Sequence, residues 1–234
     1  MKTYGQFCPV AKAAEIFCER WTALILRDLA CGASRFSELQ RGIPLASPTL
    51  LSRRLKQLEA EHIVRREKSE SGRSWTYHLT PAGEEFVPIV EALGVWGQHW
   101  SRRELAKHEV NLDLLVWAME RSVRPEAFGT RDAIVQVEFT DQPKHKRLWW
   151  FRNEHGVSEL CLQPPGVDVD LYLSTTLMDM IYIWRGDLSP AQALETGRLT
   201  AHGKGWARRV VGQWLGISTL AHVRPRQESA VNAA

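Results

Sequence analysis

Read for periodicity, the chain changes character near His108-Glu109-Val110. Before that point apolar residues recur at helical spacing. Pro9 stands where a first helical residue loses no partner for its missing N–H, and Val10, Ala13, Ala14 and Phe17 follow it. A second helix is expected from near Trp21, with Leu24, Ile25 and Leu29 on one side and Gly32 as its stop. Ser34 is expected to cap a short third helix, Arg35 to Arg41, anchored by Phe36 and Leu39. Ser47-Pro48 then opens the clearest helix, a capping hydroxyl followed by proline, running to Glu61. Two strand-like runs follow, Ile63 to Lys68 and Ser74 to Leu79. In the second, Trp75, Tyr77 and Leu79 alternate with Ser74, Thr76 and His78. Thr80-Pro81 opens a further helix with a stripe of Phe86, Val90, Leu93, Gly97 and Trp100, flanked by Val87 and Trp96. Pro88 inside it predicts a kink.

The second half alternates differently. Leu112, Leu115, Val116 and Met119 mark one helix ending before Pro125. Ile134 to Phe139, Arg147 to Arg152, Val157 to Leu162 and Asp168 to Leu173 read as strands. Leu148-Trp149-Trp150-Phe151 is apolar on both faces, which suits a central strand or one facing a cavity. Leu177, Ile181 and Trp184 mark a helix closed by Gly186. Ser189-Pro190 opens another that ends by Gly197, a short strand is expected around Leu199, and a last helix from Trp206 to Trp214. The polar stretch Arg224 to Ala234 is expected to be disordered. The organisation is therefore residues 1–108, 109–223 and a tail, 224–234: mainly α with β, an N-terminal helix-rich domain and a C-terminal α+β domain.

The helix opened by Ser47 carries the first chemical signal. At about 100° per residue, Leu51, Leu55 and Leu58 fall within a stripe of roughly 60°. Thr49, Ser52, Arg53 and Lys56 lie opposite. A buried leucine seam behind hydroxyls and cations suits a DNA major groove, where Arg bonds guanine bidentately and Ser or Thr reach base edges or phosphates. Ser47, Thr49, Ser52, Arg53 and Lys56 are thus candidate DNA contacts, with Arg54 a candidate phosphate contact. A short helix, a turn and this helix have helix-turn-helix order. The hairpin that follows, its turn containing Gly72 and flanked by Lys68 and Arg73, completes a winged helix whose Arg73 would meet phosphates or a minor groove.

Charge agrees. Residues 1–108 hold 16 Lys+Arg against 12 Asp+Glu, or +4, while residues 109–234 hold 14 against 15, or −1. A polyanion partner is expected for the first half. The 234 residues, 44% hydrophobic and 24% charged, exclude a fibrous or disordered chain. No apolar run reaches the ~20 residues of a membrane span, and the N-terminus lacks a signal peptide's apolar core, so a cytoplasmic protein without a membrane partner is expected. Ten Trp hint at aromatic packing or a ligand cavity.

Residues 8–100 resemble the HxlR-type family of bacterial winged-helix regulators. The resemblance rests on Cys8-Pro9-Val10-Ala11, Arg20-Trp21, Leu24 to Leu29, Arg35-Phe36-Ser37-Glu38-Leu39 and Ser47 to Leu55. It continues through Leu58-Glu59, Tyr77, Leu79-Thr80-Pro81-Ala82-Gly83 and Trp96-Gly97. One departure is Glu61-His62-Ile63, where the family usually has Gly before the first wing strand. The resemblance implies a transcription regulator, repressor in type, that binds double-stranded DNA as a homodimer on an inverted repeat with half-sites ~34 Å apart. The long apolar helix after Thr80 is the expected dimerisation element.

Residues 110–220 look like a sterol-carrier-protein-type lipid-binding domain. The blocks are Pro165-Gly166, Asp168 to Leu171, Trp184 to Ser189, Ala193-Leu194, Gly197-Arg198-Leu199, Gly203 and Trp214-Leu215-Gly216. This resemblance implies an apolar tunnel for an acyl chain or sterol, hence an apolar small-molecule effector; candidate pocket residues are Trp149, Phe151, Met178, Ile181 and Trp184. Burial of such a ligand contributes ~25 cal/mol per Å².

Catalytic patterns are missing: no G-x-S-x-G, no G-x-x-x-x-G-K-[ST] and no H-E-x-x-H. Asp168 and Asp170 are expected on a solvated strand face. The His are scattered and the four Cys form no C-x-x-C, so neither a metal nor another cofactor is expected. Cys8 precedes Pro9 at a helix start, where the dipole lowers a thiol's pKa, making it a candidate redox or electrophile sensor. A lipid carrier whose winged helix only dimerises is the other alternative.

Overall fold

The computed structural model describes residues 3–69, 72–101 and 105–226. Glu70 and Ser71 of the expected wing turn, and most of the expected tail, lie outside the described residues. Two compact units divide at Gly97/Gln98.

The first unit runs α1 (Pro9–Phe17), α2 (Thr22–Ala30), α3 (Phe36–Gly42), α4 (Pro48–Ala60), β1 (Val64–Lys68), β2 (Trp75–Leu79), α5 (Pro81–Glu84) and most of α6 (Val87–Trp100), whose residues from Gln98 on fall in the second unit. Its core joins Ile25, Leu26 and Leu29 of α2, Leu39 of α3, Leu51, Leu55 and Leu58 of α4, and Ile63 and Val64. Leu51, Leu55 and Leu58 are each only 1% exposed, so the seam contributes roughly 5–9 kcal/mol, an upper figure. On α2 the inward set is Ile25, Leu26 and Leu29, while Leu24 turns outward. Arg35, not Ser34, is the N-cap of α3. The Glu38 carboxylate accepts from the backbone N–H of Ser34 at 2.8 Å and of Arg35 at 2.9 Å, so Ser34 supplies backbone and not its hydroxyl. The kink expected at Pro88 is a full break: α5 ends at Glu84, and Pro88 sits in the first turn of α6, where its missing N–H costs nothing. Phe86 and Val90 pack against the core of this unit, so the expected apolar stripe is divided between inward and outward uses.

Two close approaches explain motif residues. The Gly83 Cα faces the Ile63 carbonyl so nearly that a Cβ would strike it. Within Glu61-His62-Ile63, His62 takes φ +55, a left-handed conformation that glycine adopts without strain. It closes α4 with its N–H on the Glu59 carbonyl (3.1 Å) and the Ile63 N–H on the Leu58 carbonyl (2.9 Å), a left-handed helix end.

The second unit contains α7 (Leu112–Ser122), β3 (Ala133–Phe139), α8 (Lys144–Arg147), β4 (Leu148–Glu154), β5 (Val157–Cys161), β6 (Leu171–Thr175), α9 (Leu177–Arg185), α10 (Pro190–Glu195), β7 (Leu199–Gly203), α11 (Gly205–Arg208) and α12 (Val211–Trp214), with one-turn 3-10 helices at Lys107–Glu109 and Pro125–Phe128. The five-stranded sheet has order β5-β4-β3-β6-β7. The β3–β6 pair is parallel and the other pairs antiparallel. Ala133, Val135, Val137 and Phe139 share one side with Phe151, Leu171, Leu173 and Leu199, and meet Leu115, Val116 and Met119 of α7, Met180 and Ile183 of α9, and Trp214.

The strand expected from Asp168 begins only at Leu171. Asp170 is not on a solvated face: it is 8% exposed, accepts from the Ile134 N–H at 2.9 Å and from Lys204 Nζ at 2.6 Å. The last helix is two short ones, α11 and α12.

Candidate nucleic-acid interface

Helix α4 begins with the Ser47 hydroxyl accepting from the Leu50 N–H at 3.2 Å, and with Pro48 in its first turn. This fixes the helix start and spends one Ser47 lone pair. The leucine seam then turns the other side outward. Thr49, Arg53 and Lys56 are exposed and Ser52 half-exposed. Together with Pro48 they line one shallow concavity.

Arg54 does not belong to this surface. It is 6% exposed. Its guanidinium donates to Glu19 Oε2 and to Gln57 Oε1, both at 2.8 Å. On the helical wheel Arg54 lies only about 40° from Leu58, beside the seam; that angle was the signal for its inward orientation. Arg54 is therefore a tether between α4 and the α1–α2 connection and is withdrawn as a phosphate contact.

The wing stands on β1 and β2, paired antiparallel with Lys68 opposite Trp75, Arg66 opposite Tyr77 and Val64 opposite Leu79. Those six residues share one face of the hairpin. Val64 is buried at its root, and Tyr77 and Leu79 pack against the core. Toward the tip the same face turns cationic: the Arg66 guanidinium lies 4.2 Å from the Trp75 ring centroid and Lys68 Nζ 5.9 Å from it. The alternation placed Trp75 correctly in a strand, but the residue is 43% exposed. On the other face Arg65 Nε donates to Glu67 Oε1 at 2.7 Å. That hydrogen bond and the Arg65 charge hold the Glu67 carboxyl below the ordinary carboxylate range. Arg65 and Glu67 thus form a neutral pair, and the outward charge of the wing sits with Lys68, Arg73 and Arg66, whose Nε also lies 3.9 Å from Glu59 Oε1. Arg73 is exposed beside the turn. Reading by residue type alone set Lys68 beside the turn without a role and missed Arg66; the signal for both was the register that sets them against Trp75.

The remaining candidates lie elsewhere. Cys8 is a half-exposed free thiol at the N-cap of α1. Phe151 is wholly buried and meets Trp214 edge-to-face at 5.6 Å, and Ile181 belongs to the same core. The indole N–H of Trp149 donates to the Lys146 carbonyl (2.8 Å) and that of Trp184 to Ser122 Oγ (3.2 Å). Met178 is half-buried on α9. Phe151 and Ile181 thus fill core space, with Trp149 and Trp184 packed against it. Among the described residues no group of three His, Cys, Asp or Glu is placed to hold a metal ion, and no helix is long and apolar enough to cross a membrane.

A helix-turn-helix followed by a β-hairpin wing defines the first unit as a winged helix. The HxlR-like helix-turn-helix family model matches residues 16–105. The uncharacterized HTH-type transcriptional regulator YvaP of Bacillus subtilis is 38% identical over 98 residues, 41% of this chain and 91% of YvaP. A Methanothermobacter thermautotrophicus HTH-type regulator is 34% identical over 42% of this chain and 75% of its own length. The reduced form of the regulator YodB from B. subtilis superposes with a TM-score of 0.36 at 31% identity, covering 41% of this chain and 95% of that one. The chain belongs to the HxlR-like helix-turn-helix family.

Proposed function

We propose that the chain is a transcription regulator that binds an inverted-repeat operator as a homodimer, with α4 in the major groove and the wing on the flanking backbone. The observation that carries this is the outward face of α4, where Thr49, Ser52, Arg53 and Lys56 stand together above a fully buried leucine seam. Relatives named as transcriptional regulators support it. Arg53 reads a base edge; Thr49 and Ser52 read base edges or phosphates; Lys56, Arg73 and the free hydroxyl proton of Ser47 meet phosphates. The homodimer reading is supported by α6, which exposes Ile89, Leu93 and Trp96 at helical spacing. Repeated selection of bound duplexes from a random library by the purified chain tests this. Enrichment of an inverted repeat with half-sites about one helical turn apart is expected. No enrichment over input, with α4 intact by circular dichroism, overturns it.

The second unit is proposed as a sterol-carrier-like effector domain for an apolar or acyl ligand. The Pro165-Gly166, Trp184 to Ser189 and Trp214 to Gly216 blocks support that reading. The effector acts only by preferring one spacing of the two recognition helices. Native mass spectrometry of the purified protein tests it: a co-purified acyl mass is expected, and retention of no fatty acid or sterol after incubation refutes it. Cys8 at a helix N-cap supports a thiol-switch alternative, for which oxidant must change DNA binding and Cys8→Ser must abolish the change.

A further inference from the structure

Four residues bridge α4 and the wing. Glu59 lies on α4, three residues beyond Lys56 and on the flank of the outward face. Arg66 Nε is 3.9 Å from Glu59 Oε1. The same guanidinium stacks 4.2 Å from the Trp75 centroid, and Lys68, opposite Trp75 in the ladder, places its ammonium 5.9 Å from that ring. Trp75 is 43% exposed on the hairpin, so one side of its ring is open to neighbouring cations. Here it carries cations, and a cation on an aromatic face is held in one place while keeping most of its outward hydrogen-bonding capacity. An unsupported Lys or Arg on a hairpin loses rotamer freedom when it meets a phosphate; one already laid on a ring loses less.

We infer that Trp75 is a positioning residue for nucleic-acid binding: its ring pre-orders Arg66 and Lys68 as a phosphate-contacting pair beside α4. This rests on the DNA-binding reading above and adds contacts to it. Arg66 also offsets the Glu59 carboxylate, which would otherwise repel the same backbone. The wing then contributes a fixed cation pair in addition to Arg73, and its reach toward the backbone is set relative to the recognition helix.

The test is the salt dependence of binding to a duplex of random sequence, followed by fluorescence anisotropy for wild type, Trp75→Leu, Trp75→Phe, Lys68→Gln and the Trp75→Leu/Lys68→Gln double variant. Each phosphate contact adds about 0.9 to the slope of log affinity against log salt. Trp75→Leu should flatten the slope by nearly two contacts. Its fall in affinity between about 50 and 200 mM salt then becomes about tenfold smaller than that of wild type. Trp75→Phe, which keeps an aromatic face, should restore most of the slope. Lys68→Gln should cost about one contact in wild type and almost none in Trp75→Leu. Wild-type slope in Trp75→Leu, or an equal Lys68→Gln effect in both backgrounds, overturns the inference even if the thermal midpoint falls. If Trp75→Leu does not fold, Trp75→Phe and Lys68→Gln decide it: an unchanged slope in Lys68→Gln refutes the pair. A wild-type chain without salt-dependent binding fails the DNA-binding reading itself, a distinct outcome.

Discussion

Arg54 and Glu19 form a 2.8 Å ion pair that ties α4 to the α1–α2 connection, with the Arg54 side chain 7% and the Glu19 side chain 35% exposed. The pair is asymmetric: removing the carboxylate strands a buried cation, while removing the cation leaves a carboxylate that water reaches. Glu19→Gln should therefore destabilise the first unit more than Arg54→Met, by about 2 kcal/mol against about 1 kcal/mol. Urea unfolding of the two variants measures this, and the reverse order would show that the guanidinium's bond to Gln57 outweighs its pair with Glu19. Neither should alter the salt slope of DNA binding, since Arg54 faces inward.

His62 carries a backbone conformation that glycine adopts without strain, φ +55 at the end of α4. The left-handed region costs a residue with a Cβ about 1–2 kcal/mol, and glycine returns part of that as chain entropy. His62→Gly should stabilise the first unit by about 0.5–1 kcal/mol, read as a higher thermal midpoint. A lower midpoint would mean that the imidazole makes a contact worth more than the strain.

On α4, Arg53→Ala should lower discrimination between the selected operator and random duplex by about 1–3 kcal/mol, roughly 5- to 150-fold. Lys56→Ala should weaken binding to both alike and reduce the salt slope by about 0.9. An unchanged affinity ratio in Arg53→Ala would remove it as a base reader.

In the second unit the Lys204 ammonium is held above the ordinary lysine value of 10.5 by its hydrogen bond to, and the charge of, Asp170. A raised pKa in the folded state means stability that is fully present below the unfolded value and lost as pH rises through the folded one. The loss therefore falls on the alkaline side, above pH 10.5. Wild type should lose more stability than Lys204→Met between about pH 9 and pH 11, measured by urea midpoint. Equal losses would show that the pair adds nothing to folding.

Gly216 closes the Trp214-Leu215-Gly216 block, and a Cβ there would run into the carbonyl oxygen of Ser122 at the end of α7. The Trp214 carbonyl accepts from the Arg124 N–H at 2.9 Å in the same crossing. Backbone cannot yield as a flexible side chain does, so Gly216→Ala should cost about 3 kcal/mol or more, seen as loss of the second unit's cooperative unfolding while the first unit's transition stays.

Local rules made much of this legible. The Ser47-Pro48, Thr80-Pro81 and Ser189-Pro190 starts hold because a cap and a proline act within one turn. The leucine seam of α4 holds because helical spacing alone decides which side turns inward. The strand alternation at Ile134 to Phe139 holds for the same reason. Where a residue's fate depended on a distant partner, local pattern failed. Asp170 looked solvated until β3 and Lys204 were set against it.

What the sequence determined by itself, then, was the order of elements and the outward face of α4, since each follows from spacing along one segment. Only the tertiary structure decided that the inward Arg54 finds Glu19 as its partner, that Trp75 stays out and carries Arg66 and Lys68, and that Phe151 packs on Trp214. Those outcomes depend on which chain segments meet across many residues, a matter of long-range packing that no periodicity encodes.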